Sequence, residues 1–274
     1  MSRIYSQAYL TAEASTAPEA IAHAAHWGYS YVGLRLLPNA PGGPCQRLLG
    51  DKAVLRECQA RLADSGVGVF DLEIIRIGPA FDPTDYLPLF EAGAALQARA
   101  VLVAGDDPDL KRLSDHYAAL CALMQPYGMT ADLEFMPWTA VRHAREALQV
   151  VTAAGRPSNA GILVDALHVA RSDTSLADIA ALPRALLHYA QMCDAPSTNA
   201  QGSSDLSVDD MIHTARCERW LPGEGGIDLR GLFNALPPDL PISVEVPHHV
   251  RARAVGDLAW SGQALAASRA LLDL

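Results

Sequence analysis

The segment "GILVDALHV" (residues 161–169) begins as a buried strand and ends with two polar side chains. Its first residues are apolar and partly β-branched, as expected for a strand that is covered on both faces. Asp165 then stands where the strand ends, and His168 is expected in the first turn of the following loop. Burying an acid and a histidine there is costly unless they bind a ligand or catalyse a reaction. The segment therefore favours a fold that gathers strand ends at one site.

Short apolar runs alternate with Ala- and Leu-rich stretches of helical spacing along the whole chain. The pattern predicts eight strands, at residues 3–9, 30–36, 67–77, 98–105, 129–136, 160–167, 186–193 and 241–247. It predicts eight helices, at residues 16–27, 51–65, 84–97, 108–125, 138–154, 175–181, 227–235 and 256–273. Eight strand–helix repeats over about 250 residues are typical of a closed parallel barrel. We therefore expect an α/β protein with one (β/α)8 TIM barrel domain over residues 1–274.

An open, doubly wound sheet is the alternative fold. It usually carries a glycine-rich GxGxxG turn after an early strand. The segments after the first two predicted strands, "LTAEAST" and "LPNAPGGP", lack this pattern. The polar segment "APSTNAQGSSDLSVDDM" (195–211) follows the seventh predicted strand, and we expect it to form a mobile loop over a site.

Charge and composition exclude several classes of partner. The chain has 21 basic and 31 acidic residues and a net charge of −10, so its average field repels nucleic acid and anionic membrane surfaces. It has no apolar segment of the length that a signal peptide or a membrane span requires. The five scattered cysteines lack zinc-site spacing and are expected to be reduced thiols. We therefore expect a cytoplasmic protein with a small-molecule ligand, and a homodimer as the default assembly.

Polar side chains lie at the ends of four adjacent predicted strands: Glu134, Asp165, Gln191 and Glu245. In such a barrel the carboxyl ends of the strands form the active-site face. Buried carboxylates so close together need a positive charge among them, and one divalent cation provides it. Oxygen ligands favour Mn²⁺, with Mg²⁺, Co²⁺ or Zn²⁺ as alternatives. The alternative is that each acid, taken singly, is an ion-pair partner and not a metal ligand. Gln191 would then only orient a neighbouring side chain.

Two arginines and a tryptophan are the candidates for substrate binding at the same face. Arg35 ("VGLRLLP") and Arg76 ("IIRIGP") end the second and third predicted strands, and an arginine fork matches a carboxylate or phosphate. The alternative is that each arginine pairs with a structural acid such as Glu73 or Asp71. Trp138 either forms a wall of the pocket or belongs to the core at the start of a helix.

Five segments, in this order, resemble the xylose isomerase-like TIM barrel family: "LEFMPW", "VDALHVARSD", "YAQMCDAP", "RWLPGEGGIDL" and "SVEVP". This is a group of sugar phosphate isomerases and epimerases within the AP endonuclease family 2 superfamily, and it also includes inosose and 3-dehydroshikimate dehydratases. The likeness covers most of the chain and is strongest from about residue 130 to residue 247. The combination of D-x-x-H and P-G-E-G is fairly specific.

The resemblance implies a single divalent metal held by Glu134, Asp165, Gln191 and Glu245. It also implies that His168 and an arginine near "RWLPGEG" contact substrate hydroxyls. Arg219 is preferred to Arg216 because it stands closer to that segment. Many isomerases and epimerases of the family have histidine where this chain has Gln191. Glutamine there resembles some 3-dehydroshikimate dehydratases.

Isomerisation, epimerisation and dehydration of a hydroxy-ketone all begin with removal of a weakly acidic proton beside the carbonyl. A metal that chelates the carbonyl oxygen stabilises the resulting enediolate. Glu134 and Glu245 are the expected acid–base pair of a sugar or sugar phosphate isomerase/epimerase. With a cyclic keto-acid or an inosose as substrate, His168 becomes the general acid of a dehydratase. A sugar-binding barrel without catalysis, suggested by Gln191, is the third hypothesis.

Overall fold

The computed structural model describes residues 3–40, 42–197 and 206–273. Eight parallel strands follow one another around a closed barrel, in which the last strand pairs with the first. This confirms the predicted (β/α)8 barrel and excludes the open sheet. The strands are Tyr5–Gln7 (β1), Tyr31–Arg35 (β2), Gly68–Ile77 (β3), Ala100–Gly105 (β4), Thr130–Glu134 (β5), Ala160–Asp165 (β6), Ala190–Met192 (β7) and Ile242–Val244 (β8).

Helices surround the barrel, and many begin with a side-chain cap. Thr16 and Ser175, for example, each form a reciprocal capping box with an acid three residues later. Within the described residues the α-helices are Ala17–Trp27 (α1), Lys52–Ser65 (α2), Leu87–Ala95 (α3), Leu110–Met124 (α4), Ala144–Ala153 (α5), Ala166–Ala170 (α6), Leu176–Ala180 (α7), Val208–Cys217 (α8), Leu229–Ala235 (α9), His249–Val255 (α10) and Asp257–Leu272 (α11).

Several predicted boundaries are wrong because apolar character reports burial rather than strand pairing. The strand predicted at 186–193 is confined to β7, since Leu186 ends a 3-10 turn and Leu187 is buried outside the sheet. The helix predicted from residue 138 begins only at Ala144, where the side chain of His143 caps it. Helices α6, α8 and α10 were not predicted. Each of them is short or lies in a segment that reads as a loop.

The loop predicted at residues 195–211 is partly a helix. Helix α8 starts at Val208, because Ser207 and Asp210 form a capping box. Residues 198–205 of this predicted loop lie outside the described residues, so its mobility stays a prediction.

The barrel interior changes from apolar to polar along its axis. Phe70, Leu102, Leu163 and Tyr189 belong to one buried cluster inside the barrel. Above them the strand register brings polar side chains together, since Asp165 is aligned with Gln191 on the next strand. Helices pack on the outer faces of the strands through a second, larger apolar core. The fold therefore supports a polar site on an apolar base.

Two expectations about the chain as a whole can be compared with the structure. All five cysteines, at positions that the structure describes, carry free thiols. Within the described ranges, none of the helices combines the length and the apolar character needed to cross a membrane.

An ion pair inside the barrel ties β5 to the segment before β7. Nδ1 of His188 lies 2.7 Å from Oδ1 of Asp132, which is fully buried. A Cβ atom at Gly161 on β6 would collide with both side chains. Glycine is therefore required on the intervening strand to admit the pair.

Replacement of His188 by glutamine is expected to reduce stability mainly at acidic pH. Burial alone disfavours the imidazolium, but the hydrogen bond and charge of Asp132 outweigh it and raise the pKa of His188. The stabilisation is therefore complete below the unfolded-state pKa and is lost as the pH rises through the folded-state pKa. In urea denaturation, we expect His188→Gln to lose on the order of 1 kcal/mol more unfolding free energy at about pH 5.5 than at about pH 8.5.

The matched control is His213→Gln, which removes an exposed histidine that lies 3.3 Å from the exposed Glu218. It is expected to change stability little at either pH, because solvent screens the pair. Equal losses at both pH values for His188→Gln contradict the prediction.

Candidate active site

A cavity of about 300 Å³ opens at the carboxyl ends of the strands. Glu134, the last residue of β5, and Glu245, just after β8, line it together with His168 and Arg219. Asp165 ends β6 and is fully buried, within ion-pair distance of Arg219. The structure thus brings together, at one mouth, residues that are widely separated in the sequence.

The Asp165 carboxylate explains the D-x-x-H spacing. Asp165 is the N-cap of α6, and its Oδ1 accepts a hydrogen bond of 3.0 Å from the backbone N–H of His168. His168 therefore lies in a short helix. The sequence-based prediction placed it in a loop, and that prediction is wrong. Nε2 of His168 is 3.4 Å from Oε1 of Glu134, and its ring packs edge-on against Trp138 at 5.0 Å.

His168 is neutral at physiological pH. Burial lowers its pKa to about 4, even though the charge of Asp165 opposes the shift. Its Nδ1 is buried and, among the residues that the structure describes, has no hydrogen-bond partner. A neutral imidazole offers one donor and one acceptor nitrogen to a ligand.

Arg219 lies between two of the acids that the sequence assigns to a metal. Its Nη1 donates a hydrogen bond of 2.5 Å to Oδ2 of Asp165, and its Nη2 is 2.8 Å from Oε2 of Glu245. Its Nε donates to the carbonyl oxygen of Ala215, and the whole residue is buried. The guanidinium therefore neutralises part of the negative charge of Asp165 and Glu245. The sequence-based prediction assigned this neutralisation to a metal ion.

The acids at this mouth differ in their protonation. Burial raises the pKa of Glu134 well above its usual range, and the charges of Asp165 and Glu245 add to the shift. Burial also raises the pKa of Glu245 to about 8, although Arg219 opposes it. At Asp165 burial acts in the same direction, but Arg219 and His168 outweigh it and the pKa is lowered. One carboxylate is thus held ionised beside two that are suited to proton transfer.

These residues suit a divalent cation. Ligand atoms of Glu134, Asp165 and His168 lie within 4.8 Å of one another. Nε2 of Gln191 donates a hydrogen bond of 3.0 Å to Oε1 of Glu245. Oε1 of Gln191 is buried without a hydrogen-bond partner within the described part of the chain, as suits an oxygen that a cation or a water molecule would contact. The three residues whose ligand atoms lie together are Glu134, Asp165 and His168. The metal ligands predicted from the sequence share Glu134 and Asp165 with this group but include Gln191 and Glu245 in place of His168.

Asp194, which the sequence analysis missed, anchors the "LPGEGG" turn that follows Arg219. Its buried carboxylate accepts hydrogen bonds of 2.9–3.1 Å from four backbone N–H groups, those of Ala195, Gly223, Gly225 and Ile227. Its backbone pairs with that of Trp220, the neighbour of Arg219. The signal was an acid two residues after β7, between the predicted strand at 186–193 and the predicted loop at 195–211.

The predicted substrate-binding arginines both have acidic partners. Nη2 of Arg35 is 2.8 Å from Oε2 of Glu73, and Nη1 of Arg76 is 2.6 Å from Oδ2 of Asp106. The structural pairing considered for Arg35 is therefore present, but both guanidinium groups still line the cavity. Trp138 also lines the cavity and precedes α5 rather than opening it.

Replacement of Asp194 by alanine is expected to destabilise the protein by roughly 3 kcal/mol, because it removes the acceptor of several buried N–H groups. Asp64→Ala, at an exposed position in α2, is the matched control and should leave the melting temperature nearly unchanged. Thermal melts of the three proteins provide the measurement. A melting temperature for Asp194→Ala that equals the control value contradicts the anchoring role.

Known proteins that resemble this chain share its barrel. No curated protein matches it in sequence. Three solved structures are similar over nearly their whole length. The IolI protein with a bound zinc atom is 16% identical, with a TM-score of 0.80 and coverage of 98% of both chains. The probable 3-DHS dehydratase AsbF from Bacillus anthracis is 13% identical, with a TM-score of 0.72 and coverage of 96% of this chain and 98% of the other.

The third is D-allulose 3-epimerase from Methylomonas sp. in complex with D-allulose, which is 17% identical, with a TM-score of 0.68 and coverage of 97% of this chain and 96% of the other. At such identities the likeness shows the fold. The family model described as xylose isomerase-like TIM barrel matches residues 21–271. The chain therefore belongs to the xylose isomerase-like TIM barrel family.

Proposed function

We propose that this protein is a divalent-metal-dependent isomerase or epimerase that acts on a small sugar or sugar phosphate. The observation that carries the proposal is the pair Glu134 and Glu245, two buried carboxyl groups that line one cavity from β5 and β8. The family contains enzymes, and the solved relatives named above include a D-allulose 3-epimerase. The reaction would begin with removal of a proton beside the carbonyl group of the substrate.

The two glutamates are suited to this proton transfer. The pKa values of both are raised, that of Glu245 to about 8, and a raised pKa makes each carboxylate a stronger base. Strands β5 and β8 are separated by two strands around the barrel, so the carboxyl groups reach a ligand from different sides. One glutamate would take the proton from one face, and the other would return a proton to the opposite face.

Arg219 and His168 would assist this exchange. The charge of Arg219 favours the ionised form of Glu245, which is the form that accepts a proton. A fixed buried guanidinium also stabilises negative charge that develops on a nearby substrate oxygen. The neutral imidazole of His168 would hold a substrate hydroxyl.

Glu134, Asp165, Gln191 and Glu245, with His168 beside them, are the residues that would hold the metal. When bound, the ion would supply Lewis-acid stabilisation of the charge that develops on the carbonyl oxygen. Manganese as the ion, a homodimer and a cytoplasmic location stay predictions.

Glutamine at either glutamate is expected to lower solvent deuterium exchange into a ketose substrate by about 10²- to 10⁴-fold, because an amide cannot accept the proton. The measurement is NMR of D-allulose and related ketoses after incubation in D₂O with metal-loaded Glu134→Gln or Glu245→Gln protein. Glu57→Gln, an exposed residue in α2, is the control. If no ketose gains deuterium with the unaltered protein, or if both variants exchange at its rate, the proposal fails.

A dehydratase is the second candidate, and the position of His168, whose Nε2 lies 3.4 Å from Oε1 of Glu134 in the same cavity, favours it. The proton that Glu134 removes from the substrate would pass to this imidazole, and the imidazolium would donate it to the departing β-hydroxyl group of a cyclic keto-acid or inosose, which leaves as water. The likeness to the probable 3-DHS dehydratase AsbF adds support. Incubation with 3-dehydroshikimate or 2-keto-myo-inositol separates the two candidates, since only dehydration produces a new conjugated ultraviolet absorbance.

A further inference from the structure

A third arginine, Arg216, lines the same cavity as Arg35 and Arg76. It lies in the last turn of α8, whereas β2 and β3 carry the other two. From the sequence, Arg219 was preferred to Arg216 as the substrate-binding arginine. The two neighbouring arginines differ in environment, because Arg219 is buried among acids whereas Arg216 is exposed at the cavity mouth.

Arg216 has no hydrogen-bond or ion-pair partner in the part of the chain that the structure describes. All three arginines line one cavity, where burial and the charges of Arg76 and Arg35 lower the pKa of Arg216, although Cys217 and Asp106 oppose the shift. The end of a helix favours a cation, but it does not explain a third arginine beside two others.

The other two arginines keep unused hydrogen-bonding capacity. Nε of Arg35 is buried and, among the described residues, has no partner, and only Nη2 of this side chain pairs with Glu73. Arg76 uses Nε on Asn39 and Nη1 on Asp106. Each of these two arginines is matched by one acid, and Glu13, which also lines the cavity, is paired with His249 at 2.6 Å, so Arg216 has no ion-pair partner of its own among the described residues. A ligand anion would supply one.

The same cavity carries the reactive groups. Glu134 and His168 come from β5 and α6, Arg219 follows α8 and Glu245 follows β8, whereas the three arginines come from β2, β3 and α8. The cavity volume of about 300 Å³ is at the small end for ligand pockets, so one small molecule would contact both groups of residues.

We propose that Arg216, with Arg35 and Arg76, binds an anionic group of the substrate, so that the substrate is a hydroxy-ketone with a carboxylate or a phosphate at the end remote from the reacting carbon. This inference rests on the proposed function only for the reacting end of the substrate. Binding of the anionic group at the three arginines can be measured without turnover.

Two matched pairs of ligands test the inference by isothermal titration calorimetry. The first pair is 3-dehydroshikimate and the uncharged 2-keto-myo-inositol, and the second is D-fructose 6-phosphate and D-fructose. In at least one pair the charged member is expected to bind tenfold tighter or more, and the pair that shows the preference identifies the anion as carboxylate or phosphate. Equal binding within both pairs, or no binding of either charged ligand, overturns the inference.

Variants of Arg216 show whether this residue causes the preference. Arg216→Gln is expected to reduce the preference for the charged ligand at least fivefold, and Arg216→Lys to retain part of it because the charge remains. The control is Arg230→Gln, an exposed position in α9 outside the cavity, which should keep the full preference. A preference that survives Arg216→Gln in folded protein overturns the inference.

The two proposals fail in different ways. If the charged ligand binds through Arg216 but gains no deuterium from solvent and is not dehydrated, the anion site stands and the proposed function fails. If only uncharged ketoses bind and exchange, the proposed function stands and the anion site fails.

Discussion

The concentration of buried carboxyl groups at one end of the barrel is the constraint on which this site depends. Glu73, Glu134, Asp165 and Glu245 are each nearly inaccessible to solvent, yet they share one mouth. Such groups are destabilising unless positive charge lies among them or they bind a proton. Arg219 supplies charge for Asp165 and Glu245, and Arg35 does so for Glu73. Glu134 has no arginine or lysine ion-pair partner within the described residues, and its Oε1 lies 3.4 Å from Nε2 of His168.

This distribution separates structural and chemical roles. Asp165 is held ionised, because it caps α6 and accepts from Arg219. Glu134 and Glu245, whose pKa values are raised, keep the capacity to exchange protons. The position of Arg219 in turn depends on the turn that follows it, which Asp194 anchors to the end of β7. A loop residue remote from the ligand thus helps to set the charge balance of the site.

The sequence predicts the barrel because the alternation of apolar runs and helical stretches is local and repeated. It also predicts which residues end the strands at Glu134 and Asp165, since an acid after a buried run is visible without coordinates. The partners of these acids were not predictable. Arg219 and Asp165 are 54 residues apart in the sequence, and so are Gln191 and Glu245. Only the tertiary fold brings the members of each pair into contact. Arg216 and Asp194 lie outside the predicted strands and helices, where periodicity carries no information on side-chain direction.

A divalent ion at this centre would complete the charge balance around Glu134 and account for the unpaired amide oxygen of Gln191. Anomalous X-ray diffraction at the manganese edge, from crystals of Mn²⁺-loaded protein, tests this most directly. The account predicts one strong peak about 2.0–2.6 Å from carboxylate oxygens of Glu134 and Asp165. A map with no peak among these side chains, at a resolution that shows them clearly, would contradict it.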